Sequence, residues 1–86
     1  MTRLAVLEVF VGPGCVASDD ARALVNRIRS VSLPGLETRL IDLSAPNARR
    51  PGTVFAIPTY VLDGAVVSLG NPSEEWLVDR IRQVLR

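Results

Sequence analysis

The sequence carries one cysteine, Cys15, and no histidine, and these two counts bound its chemistry. A lone thiol cannot close an internal disulfide, and without imidazole the commonest metal ligand and the commonest base at neutral pH are missing. Zinc sites and cysteine–histidine catalysis are therefore excluded, and no metal or resident cofactor is expected. A lone thiol can attack a disulfide as its thiolate and form a mixed disulfide, which a thiol from a second molecule must then resolve. Cys15 follows Gly12-Pro13-Gly14 and precedes Val16-Ala17-Ser18-Asp19-Asp20. A helix starting here points its unpaired N–H groups and the positive end of its dipole at the sulfur, whereas Asp19 and Asp20 oppose ionisation. Two readings stay open: a reactive thiol, or a small, partly buried hydrophobe without reactivity. Ser18 is equally open, because Ser-Asp-Asp is a good helix start and a capping Ser18 would leave Cys15 in the loop before the helix.

The elements that must position Cys15 are legible on both sides of it. Leu4 to Val11 is β-branched, leucine or aromatic at nearly every position, as in a central strand covered on both faces of an α/β sheet. Ala21, Leu24, Val25 and Ile28 fall on one helical face, which predicts a helix from about Val16 to Val31, ended by Leu33-Pro34-Gly35. Leu36 to Leu43 alternates as a second strand, and strand, helix, strand in this order predicts a parallel pair with a right-handed crossover. The pattern dissolves from Ser44 to Ala56, where one helical turn is allowed near Ala48. Thr59 to Leu62 reads as a third strand, and Asp63-Gly64 is a two-residue hairpin signal into Ala65 to Leu69. Asn71 to Glu75 supplies a capping residue and first-turn acids for a last helix, with Leu77, Ile81, Val84 and Leu85 facing inward.

At 86 residues, 48% hydrophobic and 22% charged, the chain has the size and composition of one domain with one core, residues 1–86. Its ten cations are all arginine and its net charge is +1, so no general attraction to nucleic acid or anionic lipid is expected. No apolar run approaches the roughly 20 residues that span a bilayer, and Gly12-Pro13-Gly14 interrupts what would be a signal peptide. A cytoplasmic monomer is expected.

The order strand, helix, strand, irregular crossover, hairpin, helix resembles the thioredoxin-like fold in its minimal, glutaredoxin-sized form: α/β, with a four-stranded mixed sheet. Val9-Phe10-Val11-Gly12-Pro13-Gly14-Cys15-Val16-Ala17-Ser18 is similar to that family's strand, loop and C-x-x-C at a helix start, with Ser18 in place of the second cysteine. Ala56-Ile57-Pro58-Thr59-Tyr60-Val61-Leu62-Asp63-Gly64 is similar to its cis-proline segment. The chain departs from the family in having no second cysteine, no tryptophan before Cys15, and no acid near Val9, where thioredoxins bury one.

The resemblance implies a monothiol thiol–disulfide oxidoreductase. Cys15 would be the attacking thiol and Ser18, in the first helical turn, would donate to its thiolate. Gly14, Ile57 and Pro58 would meet the substrate, with Pro58 cis and close to Cys15 and the Ile57 backbone beside the thiol. The co-substrate would be glutathione or another small thiol, and the partner that thiol or a protein disulfide. Gly70-Asn71-Pro72-Ser73 lacks the glutathione-binding pattern of the monothiol glutaredoxins that hold an iron–sulfur cluster, so no cluster is expected. Without the resemblance, Pro58 reads as a trans proline at an edge-strand start. The alternative function is a redox-inactive thioredoxin-like binding or adaptor domain. Arg49 and Arg50 form either a carboxylate site, by analogy with the glutaredoxin crossover, or a solvated pair in a polar loop. Trp76 and Tyr60 read as packing residues.

Overall fold

Every strand of the sheet can be traced to a run of apolar or alternating residues, and every break to a glycine or proline. The structure, a computed structural model, describes residues 4–54 and 56–85. Its elements are β1 (Ala5–Val11), α1 (Val16–Ser30), β2 (Leu36–Asp42), β3 (Thr59–Leu62), β4 (Ala65–Leu69) and α2 (Glu74–Leu85). The strands form one mixed sheet in the order β2-β1-β3-β4. β1 runs parallel to β2, with Ala5 opposite Leu36 and Val11 opposite Asp42, and antiparallel to β3, with Phe10 opposite Thr59. The hairpin turns at Asp63 and Gly64, both at positive φ (50° and 84°), as the favoured two-residue turn requires. This is the α/β architecture of the thioredoxin-like fold.

The larger part of the core lies on one face of the sheet. Ala5, Leu7, Val9 and Val11 of β1 and Tyr60 and Leu62 of β3 pack there against Ala21, Leu24, Val25 and Ile28 of α1 and Leu77, Val78 and Ile81 of α2. An ion pair of 2.7 Å from Arg27 to Glu74 joins the two helices at the surface. Arg22 ties α1 to the end of β2 through Asp42, 2.9 Å away. The Asp42 carboxyl is held below its usual range, first by the Ser44 hydroxyl and N–H and then by Arg22.

The second face differs from the sequence expectation. β1 is buried on both sides only at Val9, Phe10 and Val11; Val6 and Glu8 are half-buried. The physical reason is that both helices occupy the first face. The second is covered by the crossover, whose Val54 packs on Phe10 and Val61 with Ile41 and Leu43 alongside. The helical turn allowed near Ala48 is absent. Two tight turns stand there instead, Ala45 N–H to the Asp42 carbonyl and Ala48 N–H to the Ala45 carbonyl, each 3.0 Å. Pro51 explains why no helix continues, since the residue before a proline is driven out of the helical region.

The edges of the elements shift by a residue or so. Leu4 lies outside β1 and is 78% exposed, and Leu43 lies past β2 although its N–H still donates to the Val11 carbonyl at 2.9 Å. Val78 joins the inward face of α2, whereas Trp76, expected to pack, is 44% exposed. On a helix whose buried residues are Leu77, Val78 and Ile81, position 76 turns away from the core.

Candidate functional site

β1 delivers the chain to the site at its buried end. After Val11 the backbone turns through Gly12-Pro13-Gly14, with Gly14 at φ 62°, a conformation that side chains resist. Cys15 then has extended angles (φ −127°, ψ 121°), occupies the N-cap position of α1, and accepts the first helical bond from the Asp19 N–H at 3.0 Å. Ser18 is therefore inside the first turn and does not cap the helix.

Ser18 has no exposed surface. Its hydroxyl oxygen accepts the Gly12 N–H at 3.1 Å, tying the loop back onto the helix. Cys15 is half-buried. Its thiol is held below the ordinary value, first by the Ser18 N–H, then by the Ser18 hydroxyl, with the Ala17 N–H helping; partial desolvation and the Asp19 charge act the other way and do not prevail. The competition left open by the sequence between helix start and neighbouring acids is thus decided for the thiolate.

The Ile57–Pro58 peptide is cis. β3, which Pro58 precedes, is an interior strand paired with both β1 and β4. Two residues beyond the rung formed by Phe10 and Thr59, Ile57 lies over the loop: a methyl group on Gly12 would stand 2.5 Å from Ile57 Cδ1. Of the three residues assigned to substrate contact, Gly14 and Ile57 are exposed, Ile57 by 38%, and Pro58 is buried. Arg49 and Arg50 are both exposed. The Arg50 Nε donates to the Val54 carbonyl, and its side chain lines a recess with Pro13, Leu43, Ser44 and Ile57.

Two residues gained no site role from the sequence. Asn71, read there as part of a helix start, donates from Nδ2 to the Ala17 carbonyl at 2.8 Å and accepts the Tyr60 hydroxyl at Oδ1, 2.7 Å away. The partners are 54 and 11 residues from it, and no local spacing signals contacts of that span. The cap of α2 is Ser73, whose hydroxyl accepts the Trp76 N–H at 3.1 Å. Among the described residues no helix is long and apolar enough to cross a membrane.

No family model matches the chain. Among curated proteins it is similar to a protein named thioredoxin from Methanocaldococcus jannaschii, 28% identical over 80 residues that cover 92% of this chain and 94% of that one. A thioredoxin-like fold, together with this similarity along nearly the whole of both chains, supports placing the protein in the thioredoxin-like superfamily.

Proposed function

We propose that this is a thiol–disulfide exchange protein that works through Cys15 alone, with a small thiol such as glutathione or a protein partner held as a mixed disulfide. The observation that carries the reading is the position of a half-exposed Cys15 at the N-cap of α1, where the first turn of the helix holds its thiol below the ordinary range. Such an environment favours the nucleophilic form. Similarity to a thioredoxin supports redox chemistry at a coarse level, and the single sulfur narrows it to the monothiol kind.

In the forward step the Cys15 thiolate attacks one sulfur of oxidised glutathione. The protein–glutathione S–S bond forms as the glutathione S–S bond breaks, and the departing glutathione thiolate takes a proton from water. A second thiol reverses the bond and frees Cys15, since the chain holds no other cysteine to do so. Ile57, exposed beside the loop, is the side chain placed to meet the rest of a bound partner.

The test is to incubate wild type and Cys15→Ser with oxidised glutathione and weigh both. Wild type gains the mass of one glutathione and Cys15→Ser gains none. No gain under conditions that modify an unstructured thiol would leave the redox-inactive binding domain as the better reading.

A further inference from the structure

Tyr60 is the largest fully buried side chain in the protein and its hydroxyl lies in the core, far in sequence from Cys15. The Asn71 side chain connects it to the site. Asn71 is an amide whose oxygen accepts the Tyr60 hydroxyl at 2.7 Å while its nitrogen donates to the Ala17 carbonyl at 2.8 Å. That carbonyl belongs to the same peptide unit as the Ser18 N–H, in the first turn of the helix that Cys15 opens.

We propose that Tyr60 and Asn71 are positioning residues for Cys15: the bond from the Tyr60 hydroxyl to the Asn71 amide and the bond from that amide to the Ala17 carbonyl hold the first turn of α1, at whose N-cap the sulfur stands. The proposal deepens the thiol-exchange reading and rests on it for its purpose. A donor at the Ala17 carbonyl polarises the Ala17–Ser18 peptide unit, so the Ser18 N–H adds more positive charge to the helix end that faces a thiolate at the N-cap. The same bond pins the first turn of α1 to the segment between β4 and α2, fixing where that N–H points. Burial pushes the Tyr60 phenol up to about 12, so it keeps its proton and remains a donor wherever the thiol is in use. The fold places Asn71 for this: Gly70, at φ 86°, turns the chain at the end of β4, and its N–H is held by the Pro58 carbonyl at 2.8 Å.

The experiment titrates the thiolate by its ultraviolet absorbance, and measures the rate with a small disulfide at neutral pH, for wild type, Asn71→Ala, Tyr60→Phe, the double variant and Ser73→Ala. Asn71→Ala moves the titration to higher pH and slows the rate by up to about twofold, because the lost bond acts on the sulfur only through the polarised peptide unit. Tyr60→Phe moves it less, in the same direction, and adds nothing once Asn71 is alanine. Ser73→Ala, which removes only the α2 cap, leaves the titration in place, so general loosening of this region is not the cause. A titration of Asn71→Ala that superimposes on wild type overturns the proposal, as does a Tyr60→Phe shift that persists in the double variant. Should Asn71→Ala not fold, Tyr60→Phe decides alone, and an unmoved titration overturns it. Glutathione uptake by wild type reads the exchange function separately, so either reading can fail while the other stands.

Discussion

Replacing Ser18 with cysteine should give the protein an internal disulfide and, with it, the capacity to reduce protein disulfides such as those of insulin, which wild type lacks. Residues three apart in a helical turn have Cβ atoms about 5–6 Å apart and a disulfide holds them at about 3.5–4.5 Å, so the helix start must close by about 1–2 Å to form the bond. The second sulfur also ends the dependence on an outside thiol, because the mixed disulfide can be resolved within the chain. Ser18→Ala is the companion variant. It removes the hydroxyl donor from the thiolate and leaves the buried Gly12 N–H without its acceptor. An unsatisfied buried donor costs about 1–3 kcal/mol, so Ser18→Ala should be both slower at neutral pH and less stable than wild type. Oxidised Ser18→Cys should weigh two hydrogens less than its reduced form and turn over insulin in the presence of a chemical reductant. A variant that keeps both thiols free under oxidising conditions would show that position 18 does not face Cys15.

Leu7→Ala should be the most destabilising simple truncation in β1. Leu7 has no exposed surface, sits on the face that receives both helices, and lies opposite Thr38 of β2 and Leu62 of β3. Removing a fully buried leucine side chain costs about 2–5 kcal/mol, the transfer of its atoms plus the cavity left behind. A domain of this length is stable by only about 4 to 13 kcal/mol in total, so the loss is a large share of what holds the site together. Val66→Ala is the matched control, since Val66 lies on the thinly covered face and is 39% exposed. Urea unfolding should separate the two midpoints widely. Equal midpoints would mean that the helix-bearing face is not where the stability resides.

The parts of this architecture that the sequence announces are those set by local rules. Leu4 to Val11 and Ala21 to Ile28 reveal themselves by composition and period, and Asp63-Gly64 by the φ angles its turn demands. Thr59 to Leu62 and Ala65 to Leu69 coincide with β3 and β4 for the same reason. The crossover from Ser44 to Ala56 has no period, and its described residues form no helix or strand; its contribution is Val54 lodged on Phe10 and Val61, a contact between residues far apart in the chain that no local spacing advertises. Trp76 misleads because an aromatic ring suggests burial, whereas its angular position on α2 puts it outward.

The candidate site divides along the same line. Cys15 is recognisable from its type and from the glycines before it, yet its placement at the N-cap rather than before a Ser18 cap depends on the Gly12 N–H claiming the Ser18 oxygen. Asn71 is invisible locally because its partners, Ala17 and Tyr60, come from the first helix and an interior strand. The balance at the thiol could not be settled by counting charges, since Asp19 and Asp20 are both nearby. It turns on position: the N-cap sets the sulfur at the amide end of α1, which lowers the thiol, and Asp19 opposes this more weakly.

The most direct measurement is the rate at which Cys15 reacts with a small disulfide reagent across pH, followed on wild type and on Ser18→Ala. The rate of a thiol follows its thiolate fraction, so the midpoint of the profile reads the ionisation of Cys15 in the folded protein. A wild-type midpoint below the roughly 8.5 of an unperturbed thiol, moving up in Ser18→Ala, is the expected result. A midpoint at or above that value, unchanged by the loss of the Ser18 hydroxyl, would contradict a thiol activated by the first turn of α1.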